Sequence, residues 1–137
     1  MKHVDELIRG EMAAVQSIDQ ILNKIKDSVE REKLSTIRQD HVRAVDRLKS
    51  YSGPGFSSKI DSAGPWGTFA QAFTGGASFF GDKAALQALK IGEEHGLQEY
   101  KEALENGDIN TELRTVIQSE LLPNQEKHLS IINKYLQ

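Results

Sequence analysis

The sequence predicts an all-α fold, a four-helix bundle made of two antiparallel hairpins joined by one long crossover. Three observations carry that expectation. Apolar residues recur at spacings of three and four along four long stretches, the period of a helix with one buried face. The first two stretches, and the last two, are separated only by short polar breaks, which forces each pair antiparallel. Between the pairs lie roughly 30 residues, 52–81, opening with the Gly-, Ser- and Pro-rich run SGPGFSSKIDSAGP, long enough to cross the full length of a bundle. Strand signals are essentially absent. At 137 residues the expectation is one domain, 1–137, around a single core.

Helix A is expected from about Lys2 or His3 to about Ile25, with Val4, Leu7, Ile8, Val15, Ile18, Leu22 and Ile25 along one face. Asp27 is positioned to cap helix B, and Glu30 stands three residues on, as in a capping box. Helix B then continues to about Tyr51. Inside the crossover, Pro65 starts a short amphipathic piece in which Trp66, Phe69 and Phe73 share one side, closed by Thr74-Gly75-Gly76. Trp66 and Phe69 suit a lid over the bundle. Phe79 and Phe80, consecutive and Gly-flanked, suit contact with a second copy of the chain, a route to a homo-oligomer. Asp82 is expected to cap helix C, about Lys83 to Asn106. Helix D then begins at Asn110 or Thr111 and bends at Pro123, which lacks a backbone N–H.

Composition narrows the function classes. Charged residues make up 27% and hydrophobic residues 38%, values of an ordinary globular chain. No apolar run approaches the roughly 20 residues that span a bilayer, so no membrane role is expected. The net charge of -3 is small and the signs are interspersed, which argues against a nucleic-acid partner. MKHVDELIRG has no apolar signal core and there are zero cysteines, so a cytoplasmic location is the expectation. No Gly-x-Ser-x-Gly elbow, phosphate loop or His-Glu-x-x-His supports a hydrolase, and no catalytic residue is singled out.

The informative feature is a polar intrusion in each apolar stripe. Glu11 fills the step between Leu7/Ile8 and Val15. His41 interrupts Ile37–Val45–Leu48, Glu93 interrupts Leu86–Leu97–Tyr100, and His128 interrupts the stripe running from Ile117 and Leu121 to Ile131, Ile132 and Tyr135. Four helices that each aim a metal-capable side chain at one core form a carboxylate–histidine metal constellation. The pattern also echoes internally, with Gly10-Glu11 matching Gly92-Glu93 and Asp40-His41 loosely matching Lys127-His128. Gly10 and Gly92, costly inside helices, fit a close approach of helices A and C beside the two glutamates. On helix C the heptad Leu86–Lys90–Glu93–Leu97–Tyr100–Leu104 selects Glu93 over Glu94 as the inward carboxylate. His95 and Glu99 are four apart and fit a solvated surface pair.

WGTFAQAFTGG, DKAALQALKIGEEHGLQEYKEAL and ELRTVIQSELLPNQEKHL, in that order and spacing, resemble the ferritin-like superfamily. Within it they resemble a family of small bacterial four-helix proteins of unknown function. The resemblance covers nearly the whole chain, with Ala77–Phe80 like a local insertion, and its first half is carried by Arg9-Gly10-Glu11 and the His41 region. It implies a ferritin-like four-helix bundle and a function in metal handling or oxidative stress, with iron or another divalent metal as cofactor. The superfamily's di-iron pattern implies Glu11 and Glu93 as terminal ligands and His41 and His128 as nitrogen ligands. Its bridging glutamates would stand at positions 38 and 125, where this chain has Arg38 and Gln125.

That departure argues against a standard dinuclear centre, because an arginine cannot ligate. Three readings follow. In the first, Glu11, His41, Glu93 and His128 hold one Fe, Mn or Zn ion, with Gln125 beside it as a hydrogen-bonding member of the site and Arg38 as charge balancer. In the second, Arg38 is the positive centre of a metal-free buried network with Glu11 and Glu93, and the bundle is a structural or interaction protein. The third is a dinuclear oxidase or peroxidase, and the remaining case is a different helix phase that leaves some of these residues exposed. Asp40 and Glu120 lack the spacing to replace the missing bridges.

Overall fold

The computed structural model describes residues 2–53, 81–106 and 109–137. Among them the chain is helical, with no strand. The elements are α1 (Lys2–Leu22), α2 (Ser28–Lys49), α3 (Asp82–Asn106) and a last rod built of α4 (Thr111–Val116), a π-helical turn (Ile117–Leu121) and α5 (Leu122–Leu136). The expectations for Trp66, Phe69, Phe73, Phe79 and Phe80 lie outside the described residues.

Helix starts follow local chemistry. Asp27 is extended, and its carboxylate accepts from the amides of Val29 at 2.8 Å and Glu30 at 3.1 Å. Two N–H groups that the helix leaves without an internal partner are thereby satisfied. Asn110 caps α4 in the same way, accepting from the Leu113 amide at 2.7 Å. The sequence expects Asp82 to cap its own helix. Its carboxylate instead accepts from the Lys26 amide at 3.2 Å, and the Gly81 carbonyl takes the first α3 bond, from Ala85 at 3.1 Å. The α1–α2 turn is thus tied to the start of α3. α1 itself ends at Leu22, short of Ile25, which stays buried in the turn with its amide on the Ile21 carbonyl.

These contacts fix the directions of the rods. α1 packs on α2 and α3, and α5 packs on α3 and α2. The Lys26–Asp82 bond places the start of α3 where α1 ends. The Tyr51 hydroxyl donates to Glu112 at 3.2 Å, placing the end of α2 beside the start of the last rod. The pairs α1/α2 and α3/last rod are therefore antiparallel, while α2 and α3 run parallel across the diagonal.

Two apolar cores fill the ends of the bundle. One gathers Leu7, Ile8, Leu48, Leu113 and Ile117, and the other Ile18, Ile21, Leu34, Leu89 and Ile132. Between them lies a buried polar layer of Glu11, His41, Glu93, Gln125 and His128.

The bend expected at Pro123 takes the form of the π-helical turn just before it. The Leu122 amide bonds the Ile117 carbonyl, five residues back, and Pro123 is the second residue of α5. Proline has no N–H and its ring crowds the carbonyl four residues earlier, here that of Ser119, and a wider turn relieves this. From the last residue of that turn onward the buried positions are Leu121, Gln125, His128 and Ile132, so Gln125 and His128 share the inner face. No described helix is long and apolar enough to cross a membrane.

Candidate metal centre

His41 is the hub of the layer. Its Nδ1 pairs with the Glu11 carboxylate and its Nε2 lies 2.7 Å from Oε1 of Glu93. The remaining carboxylate oxygens are also satisfied. The Tyr100 hydroxyl donates to Glu11, and the Gln125 side-chain N–H donates to the Glu93 carboxylate and to its backbone carbonyl at 2.9 Å. Each glutamate therefore meets one arm of the imidazole and one neutral donor, the condition under which a carboxylate tolerates burial.

His128 is held differently. Its Nε2 lies 2.8 Å from Asp40, a partly buried carboxylate on α2 that also pairs with Arg43 at 2.6 Å. If Nε2–H donates to Asp40, Nδ1 is left as a lone pair directed inward. Nδ1 is buried, finds no hydrogen-bond partner among the described residues, and lies 3.8 Å from Oε1 of Glu93. Its ring stands edge-on to that of His41, with centroids 4.7 Å apart. His41, Glu93 and His128 each offer a ligand atom, and these atoms lie within 4.8 Å of one another.

The electrostatics follow from burial and pairing. Burial alone would lower the proton affinity of His41, but the Glu93 and Glu11 carboxylates raise it well above an ordinary imidazole. Burial would likewise raise Glu93, yet His41, His128 and Gln125 bring it below the usual carboxylate value. Burial and the neighbouring Glu11 push the Tyr100 hydroxyl well up, so it stays protonated and remains a donor. Burial works against Asp40 too, and its bonds to His128 and Arg43 outweigh that and lower it. Without a metal the centre is an imidazolium between two carboxylates, which leaves one formal negative charge uncompensated in that trio.

The structure brings Glu11, His41, Glu93, His128 and Gln125 together, with Glu93 buried and Glu94 exposed. It does not bring Arg38. The sequence reading makes Arg38 a charge balancer beside the glutamates; its guanidinium instead grips Asp19 on α1, at 2.6 and 3.3 Å, on the surface. The reason is phase. The inner face of α2 carries Leu34, Ile37, His41, Ala44 and Leu48, and Arg38 sits one step, about 100°, beyond Ile37. Glu120 is likewise outside, paired with Arg47 at 2.5 Å.

Three contributors escape the sequence reading. Tyr100 reads there as core, though a buried tyrosine hydroxyl needs a partner and its heptad step from Glu93 aims it at the site. Asp40 looks like a failed bridging ligand, but its place beside His41 on α2 lets it reach across to His128 from the rod's flank. Gly96 makes room for Gln125, since a Cβ there would sit 2.8 Å from the Gln125 amide nitrogen. Comparisons with family models, curated proteins and solved structures gave no match. The reading of this centre therefore rests on its own chemistry.

Proposed function

We propose that the chain is a ferritin-like protein that binds one divalent cation, iron, manganese or zinc, in the middle of its bundle, in the service of metal handling or oxidative-stress defence. His41, Glu93 and His128 would hold the ion, Glu11 would supply a further oxygen, and Gln125, Tyr100 and Asp40 would orient those ligands. When bound, such an ion supplies two positive charges and, as iron or manganese, one-electron redox chemistry.

The observation that carries this reading is His128 Nδ1. This buried ring nitrogen lies 3.8 Å from a carboxylate oxygen with no hydrogen-bond partner among the described residues, and with Nε2–H on Asp40 it offers a lone pair that a cation between the two would take up. Two ligand atoms on one ion with bonds of about 2.1 Å stand roughly 3.0–3.4 Å apart. The 3.8 Å between Nδ1 and Glu93 is therefore a few tenths of an ångström from that range. The Asp40–His128 pair matches the carboxylate behind a ligating histidine that fixes its tautomer. Charge agrees, since two carboxylates and a divalent ion cancel once His41 gives up its proton. The order of the rods, with α2 and α3 consecutive in the chain yet parallel across a diagonal, supports the ferritin-like part of the reading. One ion fits better than two, because position 38 faces solvent and position 125 is an uncharged amide.

Elemental analysis of protein purified without chelators is the test. Close to one equivalent of metal in wild type, and loss of it in His128→Ala, is expected. Metal far below stoichiometric, with no thermal shift on adding Fe(II), Mn(II) or Zn(II), would sink the proposal. A second reading, a metal-free polar core in a structural or interaction protein, is favoured by the two carboxylates of His41, which already complete its pairing. Nuclear magnetic resonance of the imidazole nitrogens separates them, since a proton on each His41 nitrogen that survives excess metal belongs to the second reading.

A further inference from the structure

We infer that a divalent cation reaches the core through the groove between α2 and the last rod, passing Asp40. This rests on the metal-binding reading above. The groove has a volume of about 570 Å³ and is walled by Asp40, Arg43 and Arg47 on one side and Ser119, Glu120 and Asn124 on the other. Beneath it lies a void of about 10 Å³ that touches Glu11, His41, Gln125 and His128. Asp40, Ala44, Leu121 and Asn124 line both spaces, so these four side chains form the partition between solvent and the centre.

The sizes define a two-step passage. A divalent ion with six waters, each of roughly 30 Å³, fits the groove with room to spare, whereas the void holds about one probe sphere. The ion must therefore shed its waters at the partition, and an oxygen ligand is needed there to replace them. Asp40 supplies it. One of its oxygens holds the exposed Arg43 in the groove and the other holds His128 in the core, so release of Arg43 frees a carboxylate between the two spaces. Asp40, Asp46 and Glu120 outnumber Arg43 and Arg47 in the groove walls, which gives a net attraction for a cation. The π-helical turn contributes Ser119, Glu120 and Leu121 to this wall, so the same irregularity that turns Gln125 and His128 inward also shapes the approach to them.

The rival way in is a slot between α1 and α3, beside Gly10, Ala14, Gly92 and Gly96. It too measures only about 10 Å³, and the groove over Asp40 shares none of its lining residues. The experiment compares the two. Metal-free protein is mixed with Co(II), and the absorbance of the bound ion is followed by stopped flow, with its final stoichiometry measured separately. Ala44→Leu fills the partition, Asn124→Phe covers it from an exposed position, and Ala14→Leu fills the slot, with far-UV circular dichroism checking that each variant is folded. Ala44→Leu and Asn124→Phe are expected to lengthen the half-time of uptake by about tenfold or more at unchanged stoichiometry, and Ala14→Leu to leave it as in wild type. Equal half-times throughout, or slowing by Ala14→Leu alone, overturn the route while leaving the metal site standing. If wild type takes up no Co(II), the stoichiometry shows it, and the metal reading falls together with the route.

Discussion

In the metal-free protein, the charge on His41 should make stability fall as pH rises above about 6.5, the ordinary imidazole value. Burial opposes that charge, and the carboxylates of Glu93 and Glu11 more than reverse the effect, so the folded protein keeps a proton that the unfolded chain has lost. Its contribution is fully present below the unfolded value and disappears as pH rises through the folded one. One extra bound proton corresponds to a slope of about 1.4 kcal/mol per pH unit across that window. Glu93 acts at the other end. Its lowered affinity gives a contribution present above the ordinary carboxylate range and lost on acidification, so a plateau lies between the two. Tyr100, raised by burial and Glu11, begins to matter only above about pH 10. His41→Ala strands two buried carboxylates and should cost about 3–5 kcal/mol at pH 6. Urea denaturation of chelator-stripped protein at pH 6, 7, 8 and 9 measures both. A wild-type slope below about 0.5 kcal/mol per unit would mean a neutral imidazole and refute the ion-pair account. Saturating Zn(II) should suppress the decline, because a metal ligand must be the neutral ring.

Arg38→Ala should leave the urea midpoint as in wild type, because the Arg38–Asp19 pair lies on the surface; a loss as large as that of His41→Ala would place Arg38 back in the core. Gln125→Glu should raise divalent-metal affinity in a competitive chelator titration, whereas Arg38→Glu should not, since only position 125 faces the centre. Equal gains from the two would contradict the phase of α2. Gly96→Ala should destabilise by about 1–3 kcal/mol despite its better helix propensity, because the new Cβ meets the Gln125 amide at 2.8 Å. In a Gln125→Ala background the same change should be neutral or stabilising, and additive effects in that double-mutant cycle would disprove the contact.

How much of this was legible in the sequence depends on whether a residue's role is set by its own helix or by a neighbour. Glu11, His41, Glu93 and His128 each break an apolar period, and a period belongs to one helix, so burial of all four could be read directly. Arg38 lies outside because the three-residue step of Glu-x-x-His leaves the inner face of α2, where Ile37 rather than Arg38 precedes His41. The same three-residue step is inward on α5, where Gln125 precedes His128. The inward three-residue spacing is thus present on one of the two histidine helices, there with Gln in place of Glu. Tyr100, Asp40 and Gly96 act through contacts that cross between rods, with Glu11, His128 and Gln125, and no single-helix period encodes a partner on another rod. Pro123 announced an irregularity, but its type, a π-helical turn upstream, depends on how the rod seats Leu121 and Gln125 against α2 and α3.

This bundle has two apolar cores, and a leucine layer between them would cost no desolvation of charge. The chain instead places two carboxylates and two imidazoles there, with a buried amide and a tyrosine hydroxyl to satisfy them. Simple specification of the fold does not account for the details. His41 and the two donors would already complete the network, so His128 could have been apolar without loss of a hydrogen bond to either glutamate. His128 nevertheless is present, is oriented by a partly buried Asp40 that is itself held by Arg43, and has an Nδ1 with no hydrogen-bond partner among the described residues. Three residues on two rods thus fix one unpaired nitrogen at the centre of the layer, beside a void that reaches toward the surface groove. A cation proposed at this centre would meet that nitrogen already oriented by Asp40, with Oε1 of Glu93 beside it.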